Sequence, residues 1–165
     1  MPYRYKCSKC DRWHVGFPDI GYDSPFYVGG IPESERADRL FLTSDLCVID
    51  NENFFIRCLL VLPVKGLEER FGWGVWSSLS ETNFMRYQEH YSTDKSLWEP
   101  MFGYLSNQLP DYPDTLNLKL SVQPGGARMR PLLTLEPTDH PLSVQQRDGF
   151  SIDEVLRIVE PYLQE

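Results

Sequence analysis

The fold is decided by residues 40–64, LFLTSDLCVIDNENFFIRCLLVLPV, in which two apolar runs flank the polar segment DNEN at 50–53. Both runs are rich in β-branched and aromatic residues, which favour strands. The segment between them is rich in residues that favour turns, so the stretch predicts a β-hairpin. Since side chains alternate faces along a strand, a four-residue loop would put Cys47 and Cys58 on the same face of this hairpin.

Three further segments predict strands, which together with the hairpin indicate an α+β fold. Residues 71–79 alternate glycine with large aromatic side chains, which indicates a strand that a neighbouring element approaches closely. Residues 116–122 alternate apolar and polar side chains, as a half-buried strand does, and residues 129–136 would form its partner. We expect a mainly antiparallel sheet of about five strands, with helices packed on one side.

Helices are predicted between and after these strands. The first would follow Ser80, a typical N-cap residue, over about 81–91, and a second would lie near 98–105. Ser151 and Glu154 form an S-x-x-E capping box before a run of apolar residues, so the pattern predicts a helix near the end of the sequence.

Length and composition indicate one domain and argue against two classes of partner. The 165 residues fit a single domain over 1–165, with an irregular segment at 1–32 that glycine and proline punctuate. A net charge of −8 argues against binding nucleic acid through bulk charge. No apolar run approaches the roughly 18 residues that cross a bilayer, and no apolar leader is visible. We therefore expect a cytoplasmic protein whose cysteines are thiols or metal ligands.

The C-x-x-C motif of Cys7 and Cys10 is the sharpest local signal, because a tight turn between two thiolates can aim both sulfurs at one ion. His14 follows closely enough for its imidazole to bend back, and Cys47 on the predicted hairpin would add a third thiolate. These four residues predict a structural Zn²⁺ site. The alternatives are a site of four thiolates that includes Cys58, and core cysteines with no metal.

Two other functions stay open on the sequence. Arg57 lies within an otherwise apolar strand, so its charge must be paired or face a cleft. An enzyme of unrecognised type would have a cleft near Arg57, Trp73 and Trp76, with Ser77 and His140 as further pocket residues. A thiol-redox protein would use Cys7 and Cys10, although a thioredoxin-like pair opens a helix within a βαβ unit.

Several motifs carry a resemblance to a known family: Cys7-x-x-Cys10-x-x-x-His14, Asp45-Leu46-Cys47-Val48-Ile49-Asp50, Phe54-Phe55-Ile56-Arg57, Trp73-Gly74-Val75-Trp76-Ser77-Ser78-Leu79-Ser80, Arg130-Pro131-Leu132-Leu133-x-Leu135-Glu136 and Asp139-His140-Pro141-Leu142. In these the chain resembles, over nearly its whole length, a bacterial family known as domain of unknown function 2199. Asp11 and Cys58 stand where glycine is commoner in that family, which implies that Cys47 is the better third thiol. The family brings no established activity, so the resemblance implies one domain and no particular reaction.

The interpretation that fits these observations best is a non-catalytic binding or regulatory module with a structural zinc site. It rests on a set of metal ligands in a sequence that has no recognised catalytic motif. Its partner would be an unknown protein or a small molecule.

Overall fold

Ten strands and four helices lie in residues 3–7, 10–93, 99–125 and 129–162, the part of the chain that the computed structural model describes. The strands are β1 (Arg4–Lys6), β2 (Trp13–Val15), β3 (Ile20–Gly21), β4 (Leu40–Leu42), β5 (Leu46–Ile49), β6 (Asn53–Pro63), β7 (Arg70–Leu79), β8 (Met101–Tyr104), β9 (Lys119–Gln123) and β10 (Leu132–Leu135). The helices are α1 (Arg36–Arg39), α2 (Glu81–Thr93), α3 (Pro141–Asp148) and α4 (Ile152–Val159). Short 3₁₀ helices are formed by Phe26–Gly30, Glu33–Glu35 and Glu160–Tyr162.

The hairpin of β5 and β6 forms as predicted, but its register differs by one residue. Ile49 pairs with Asn53 and Cys47 with Phe55, so three residues connect the strands rather than four. Asp50 and Asn51 both adopt left-handed conformations, with φ of 55° and 53°, which is the geometry of a tight hairpin turn. A slip of one residue exchanges the faces of a strand. Cys47 and Cys58 therefore lie on opposite faces, and their predicted common face is wrong.

The main sheet is larger than predicted and mixed, with eight strands where about five antiparallel ones were expected. Its path runs β3-β7-β6-β10-β9-β8, and β4 and β5 branch from it at β6. Strand β6 pairs with β7 from Phe54 to Pro63. Its other edge is shared by β5 and, through Leu59 and Leu132, by β10. Two of the pairings, β3 with β7 and β6 with β10, are parallel.

The sheet curls so that the end of β8 returns to β7. Leu105 forms a bridge with Ser77, and the Ser106 N–H donates to the Trp76 carbonyl at 2.9 Å. The Trp76 N–H donates to Oδ1 of the buried Asn107 at 2.8 Å, so a side chain takes the place of a strand at this point. Strands β6, β7, β8, β9 and β10 thus form a closed ring.

Strand β8 replaces the helix that we predicted near 98–105, of which residue 98 lies outside the described residues. Met101 and Leu105 are buried whereas Phe102 and Tyr104 are exposed, a period of two that belongs to a strand. The predicted helix after Ser80 is present as α2. The predicted helix after Ser151 is present as α4, where the Ser151 side chain accepts a hydrogen bond from the Glu154 N–H at 3.2 Å.

Two clusters of buried side chains occupy the two faces of the hairpin. The larger contains Phe54, Cys58 and Trp73, together with residues of α2, α3 and α4. The smaller contains Cys47 and Trp76, with Val28, Ile31, Ile49 and Phe55. Within the described residues, no helix is both long and apolar enough to span a membrane.

The N-terminal segment, predicted to be irregular over 1–32, contains three short strands. Strands β1 and β2 form a separate two-stranded sheet, and β3 joins the main sheet beside β7. There Gly21 pairs with Gly74, and a Cβ on Gly74 would lie 3.1 Å from the Gly21 Cα. This confirms the close approach that the glycine–aromatic alternation of 71–79 predicted.

Candidate metal centre

The candidate site is the loop of the β1–β2 hairpin. Strand register pairs Tyr5 with His14, and the loop between the strands contains Cys7 and Cys10. The Cys7 N–H donates to the Arg12 carbonyl at 2.9 Å, which closes the base of the loop. The C-x-x-C-x-x-x-H spacing therefore places both thiols and the imidazole on one tight hairpin.

Asp11 gives this loop its bend. Its φ of 56° lies in the left-handed region, and its N–H donates to the Cys7 carbonyl at 3.0 Å. Glycine enters that region freely, whereas asparagine and aspartate are the side-chain-bearing residues that tolerate it best. Asp11 can therefore hold a conformation for which glycine was the residue expected from the family resemblance. Its carboxylate is also 2.8 Å from Nζ of Lys6, which links the loop to β1.

The donor atoms of Cys7, Cys10 and His14 all lie within 4.8 Å of one another. Cys10 Sγ and His14 Nε2 are 3.2 Å apart. A tetrahedral Zn²⁺ with bonds of about 2.3 Å to sulfur and about 2.0 Å to nitrogen has sulfur–nitrogen edges of roughly 3.5 Å and sulfur–sulfur edges of roughly 3.8 Å. The separation of Cys10 Sγ and His14 Nε2 is therefore close to one edge of that tetrahedron, and the other two separations need to shorten by no more than about 1.3 Å.

Tyr5 forms the inner wall of the site. Its ring stacks on the His14 imidazole, with centroids 5.6 Å apart, and on the Phe17 ring at 5.9 Å. The side chain is 5% exposed, and its hydroxyl has no hydrogen-bond partner among the described residues. Burial, followed by the charge of the Cys7 thiolate, raises the pKa of Tyr5, so this hydroxyl remains a proton donor.

The surroundings of the hairpin are half apolar and half basic. Cys7 is buried in the larger core cluster, whereas Cys10 and His14 are half-buried. Arg4 lies 5.6 Å from the centre of the Trp13 ring, and Lys6 follows two residues later in the same strand. Both basic side chains lie on the exposed face of β1, opposite to Tyr5 and Cys7.

Cys47 does not lie with this group. It is wholly buried on β5 within the smaller core cluster, beside Phe55 and Trp76, whereas Cys7 belongs to the larger one. Burial raises the pKa of Cys47 to about 12 and also raises the pKa of Cys58. Cys47, the predicted fourth ligand, is thus a buried thiol of the core. The register of the β5–β6 hairpin places it on the face opposite to the larger cluster, which contains both Cys7 and Cys58.

The predicted cleft near Arg57 does not form from the residues expected to line it. Trp73, Trp76 and Ser77 have no exposed surface, and the two tryptophans point to opposite faces of the sheet. The Arg57 side chain is 14% exposed, with Nη2 3.8 Å from an Asp23 carboxylate oxygen. Its guanidinium is therefore only partly paired, because the buried Nε has no hydrogen-bond partner among the described residues. Since the other three side chains are fully buried, these residues do not surround an open pocket.

His140 is the N-cap of α3 rather than part of that group. Its Nδ1 accepts a hydrogen bond from the Leu142 N–H at 3.1 Å, and its Nε2 lies 3.1 Å from the Asp114 carbonyl oxygen. Both ring nitrogens are thus engaged by the backbone, and the side chain has a structural role.

Two features of the structure were missed in the sequence. The first is Tyr5, although alternation along β1 puts it on the same face as Cys7, two residues later. The second is a cavity of about 310 Å³ beside β6 and β7, where the rings of Tyr27 and Phe55 lie 5.8 Å apart and Asn53 and Asn117 contribute amides. No local motif marks this cavity, because its lining comes from five separate stretches of the chain.

Residues 6–150 match the family model described as an uncharacterized protein conserved in bacteria (DUF2199). The match includes all three residues of the candidate metal centre, the whole of the main sheet and α3. No curated protein and no solved structure matches the chain. The family description gives no activity, so function must be argued from the hairpin itself.

Proposed function

The chain belongs to the DUF2199 family of conserved bacterial proteins, and from its N-terminal hairpin we propose that it is a zinc-binding module. In this proposal Cys7 and Cys10 bind Zn²⁺ as thiolates, and His14 binds it through a ring nitrogen. The supporting observation is the convergence of three donor atoms to within 4.8 Å of one another. The module binds or regulates a protein or small-molecule partner and does not itself catalyse a reaction.

The chemistry of the donors favours zinc among the common ions. Thiolates and imidazoles suit Zn²⁺, whereas Mg²⁺ and Ca²⁺ prefer carboxylate and carbonyl oxygens. Cys10, Cys47 and Cys58 are not in disulfides. Thiols persist in reducing compartments, so a cytoplasmic location is part of the proposal.

Zinc would give the hairpin a stability that its strands lack. The β1–β2 sheet has only two strands of three residues each, and two-stranded hairpins are marginal in water. An ion bound to Cys7, Cys10 and His14 would join the end of β1 to the loop and to β2. It would thereby hold Cys7 in the larger core cluster and fix the hairpin against the main sheet.

The thiol-redox alternative has less support from the local backbone. In thioredoxin-like proteins the C-x-x-C pair opens a helix, whose N-terminus lowers the pKa of the attacking thiol. Here the pair lies in the loop of a hairpin, between β1 and β2. The Cys10 thiol also faces His14 at 3.2 Å, an arrangement that suits ligation of a metal.

The proposal is tested by measuring metal in protein purified without added zinc. We expect close to one zinc per chain by elemental mass spectrometry. Cys10→Ser and His14→Ala should each lose most of it, because two ligands bind zinc far more weakly than three. Cys47→Ala is the matched control and should keep its zinc. The proposal would be overturned if the wild-type protein were free of metal and also failed to take up zinc during reconstitution. It would also be overturned if Cys47→Ala lost its zinc while Cys10→Ser and His14→Ala kept theirs.

A further inference from the structure

We propose that the zinc of this hairpin keeps one exchangeable coordination position, occupied by a solvent molecule or a small anion that accepts a hydrogen bond from the Tyr5 hydroxyl. This inference rests on the proposed zinc site and adds to it the class of ligand that the site takes. Zinc would then be the binding point of the module as well as a brace for its hairpin.

The described part of the hairpin supplies three metal donors, one fewer than zinc takes. Zinc in proteins takes four ligands; closed structural sites supply all four from side chains, whereas open sites supply three and leave one for solvent or substrate. Among the described residues, only Cys7, Cys10 and His14 form a cluster of cysteine, histidine and acidic side chains that could hold a metal ion. Cys47, the residue predicted to complete the set, lies in the other core cluster.

The hydroxyl of Tyr5, unpaired within the described residues, is a second observation, independent of the number of metal donors. A buried polar atom without a partner is rare and calls for a water molecule, an ion or a functional role. The Tyr5 hydroxyl is such an atom within the described part of the chain. The residue pairs with His14 across the hairpin, and the thiols of Cys7 and Cys10 both act on its hydroxyl electrostatically. A ligand on the fourth position of the zinc would give this donor an acceptor.

The donor on Tyr5 favours a small anion or a solvent molecule as the exchangeable ligand. Two thiolates cancel the charge of Zn²⁺, and a neutral imidazole adds none, so the metal can still take a negatively charged ligand. The Tyr5 hydroxyl needs a hydrogen-bond acceptor, and hydroxide or another small anion accepts more strongly than a neutral group. Arg4 and Lys6 lie on the opposite face of β1 and do not contact this position.

The experiment uses the full chain reconstituted with Co²⁺, whose visible spectrum reports coordination, and azide as the probe anion. Cobalt should give the absorption of a tetrahedral thiolate site, and azide should change that spectrum saturably by replacing the bound solvent molecule. Tyr5→Phe should weaken azide binding by roughly tenfold, since it removes one hydrogen bond to a charged acceptor. Tyr3→Phe is the matched control: Tyr3 stacks on Tyr5 at 6.0 Å, and its variant should bind azide like the wild type.

The outcomes separate this inference from the proposal on which it rests. If cobalt does not bind, both fail. If cobalt binds with a thiolate spectrum that azide never changes, the zinc site stands and the exchangeable position is refuted. Glu160 acts on Tyr5 electrostatically and is the carboxylate to examine in that case; a changed cobalt spectrum in Glu160→Gln would identify it as the fourth ligand. Equal azide affinity in Tyr5→Phe and the wild type would refute the role of the hydroxyl.

Discussion

Replacing Asn107 by alanine should loosen the seam at which the sheet closes into a ring. Asn107 is 2% exposed, and its Oδ1 accepts the Trp76 N–H at 2.8 Å. Its Nδ2 donates to the Ser24 carbonyl at 3.0 Å, so the same side chain joins β7 to the segment that follows β3. Alanine would leave a buried backbone N–H of a wholly buried tryptophan without its partner.

The size of the effect follows from those two bonds. An unsatisfied buried donor costs about 1–3 kcal/mol, and the loss of a second, less buried hydrogen bond adds about 1 kcal/mol. The free energy of unfolding should therefore fall by about 2–4 kcal/mol, a large share of the roughly 5–15 kcal/mol typical of a domain. For a chain of this length each kcal/mol lowers Tm by about 2–4 °C, so the expected drop is roughly 4–16 °C.

The assay is urea unfolding followed by tryptophan fluorescence, with a thermal melt by circular dichroism as a second measurement. Asn53→Ala is the control: Asn53 is exposed at the start of β6, and its substitution should change stability by less than about 0.5 kcal/mol. If Asn107→Ala were within 1 kcal/mol of wild type at an unchanged urea m-value, the side chain would not be what closes the sheet here.

Cys47 and Cys58 should not react with an aromatic disulfide reagent in the native protein and should react fully in denaturant, because both are wholly buried and burial raises their pKa values; reaction of either in the native state would contradict this. Gly103→Ala should destabilise the fold by about 1–3 kcal/mol in urea unfolding, since a Cβ there would clash with Ser77 Oγ and a backbone carbonyl of β7. Asp11→Gly should keep zinc affinity in a competition titration with a chelator, whereas Asp11→Val should weaken it at least several-fold, because valine resists the left-handed φ of 56°. Both Asp11 variants lose the ion pair with Lys6, so a difference between them isolates the backbone conformation.

Sequence alone predicted the elements well where the signal is local. The alternation in 71–79, the Ser80 N-cap and the Ser151 cap correspond to β7, α2 and α4 within one or two residues at their starts. The grouping of Cys7, Cys10 and His14 was likewise predictable, because their spacing fits within a single hairpin. Each of these depends on residues less than about a dozen positions apart.

Prediction failed where a distant strand or a single turn decided the outcome. The position of Cys47 depends on whether the β5–β6 loop has three residues or four, and that count reverses which side chains face the larger core. Asp50 and Asn51 both tolerate left-handed φ, so their sequence already favoured the shorter turn. The parallel pairing of β6 with β10 joins Leu59 to Leu132, and no local pattern indicates such a contact.

The burial of Cys7 gives the proposed metal site a physical connection to the rest of the fold. A closed knuckle on an exposed arm would stabilise only itself, but Cys7 is 1% exposed and belongs to the cluster that contains Ile20 of β3 and Trp73 of β7. In the proposed site, a ligand that changes how Cys7 binds zinc would therefore act on a side chain that is packed in the core. Such a ligand would shift the conformation of β3 only to the extent that it binds the hairpin packed against the main sheet more tightly than the detached hairpin. The proposed regulation would thus depend on the difference in ligand affinity between those two states of the hairpin, and tight binding alone would not produce it.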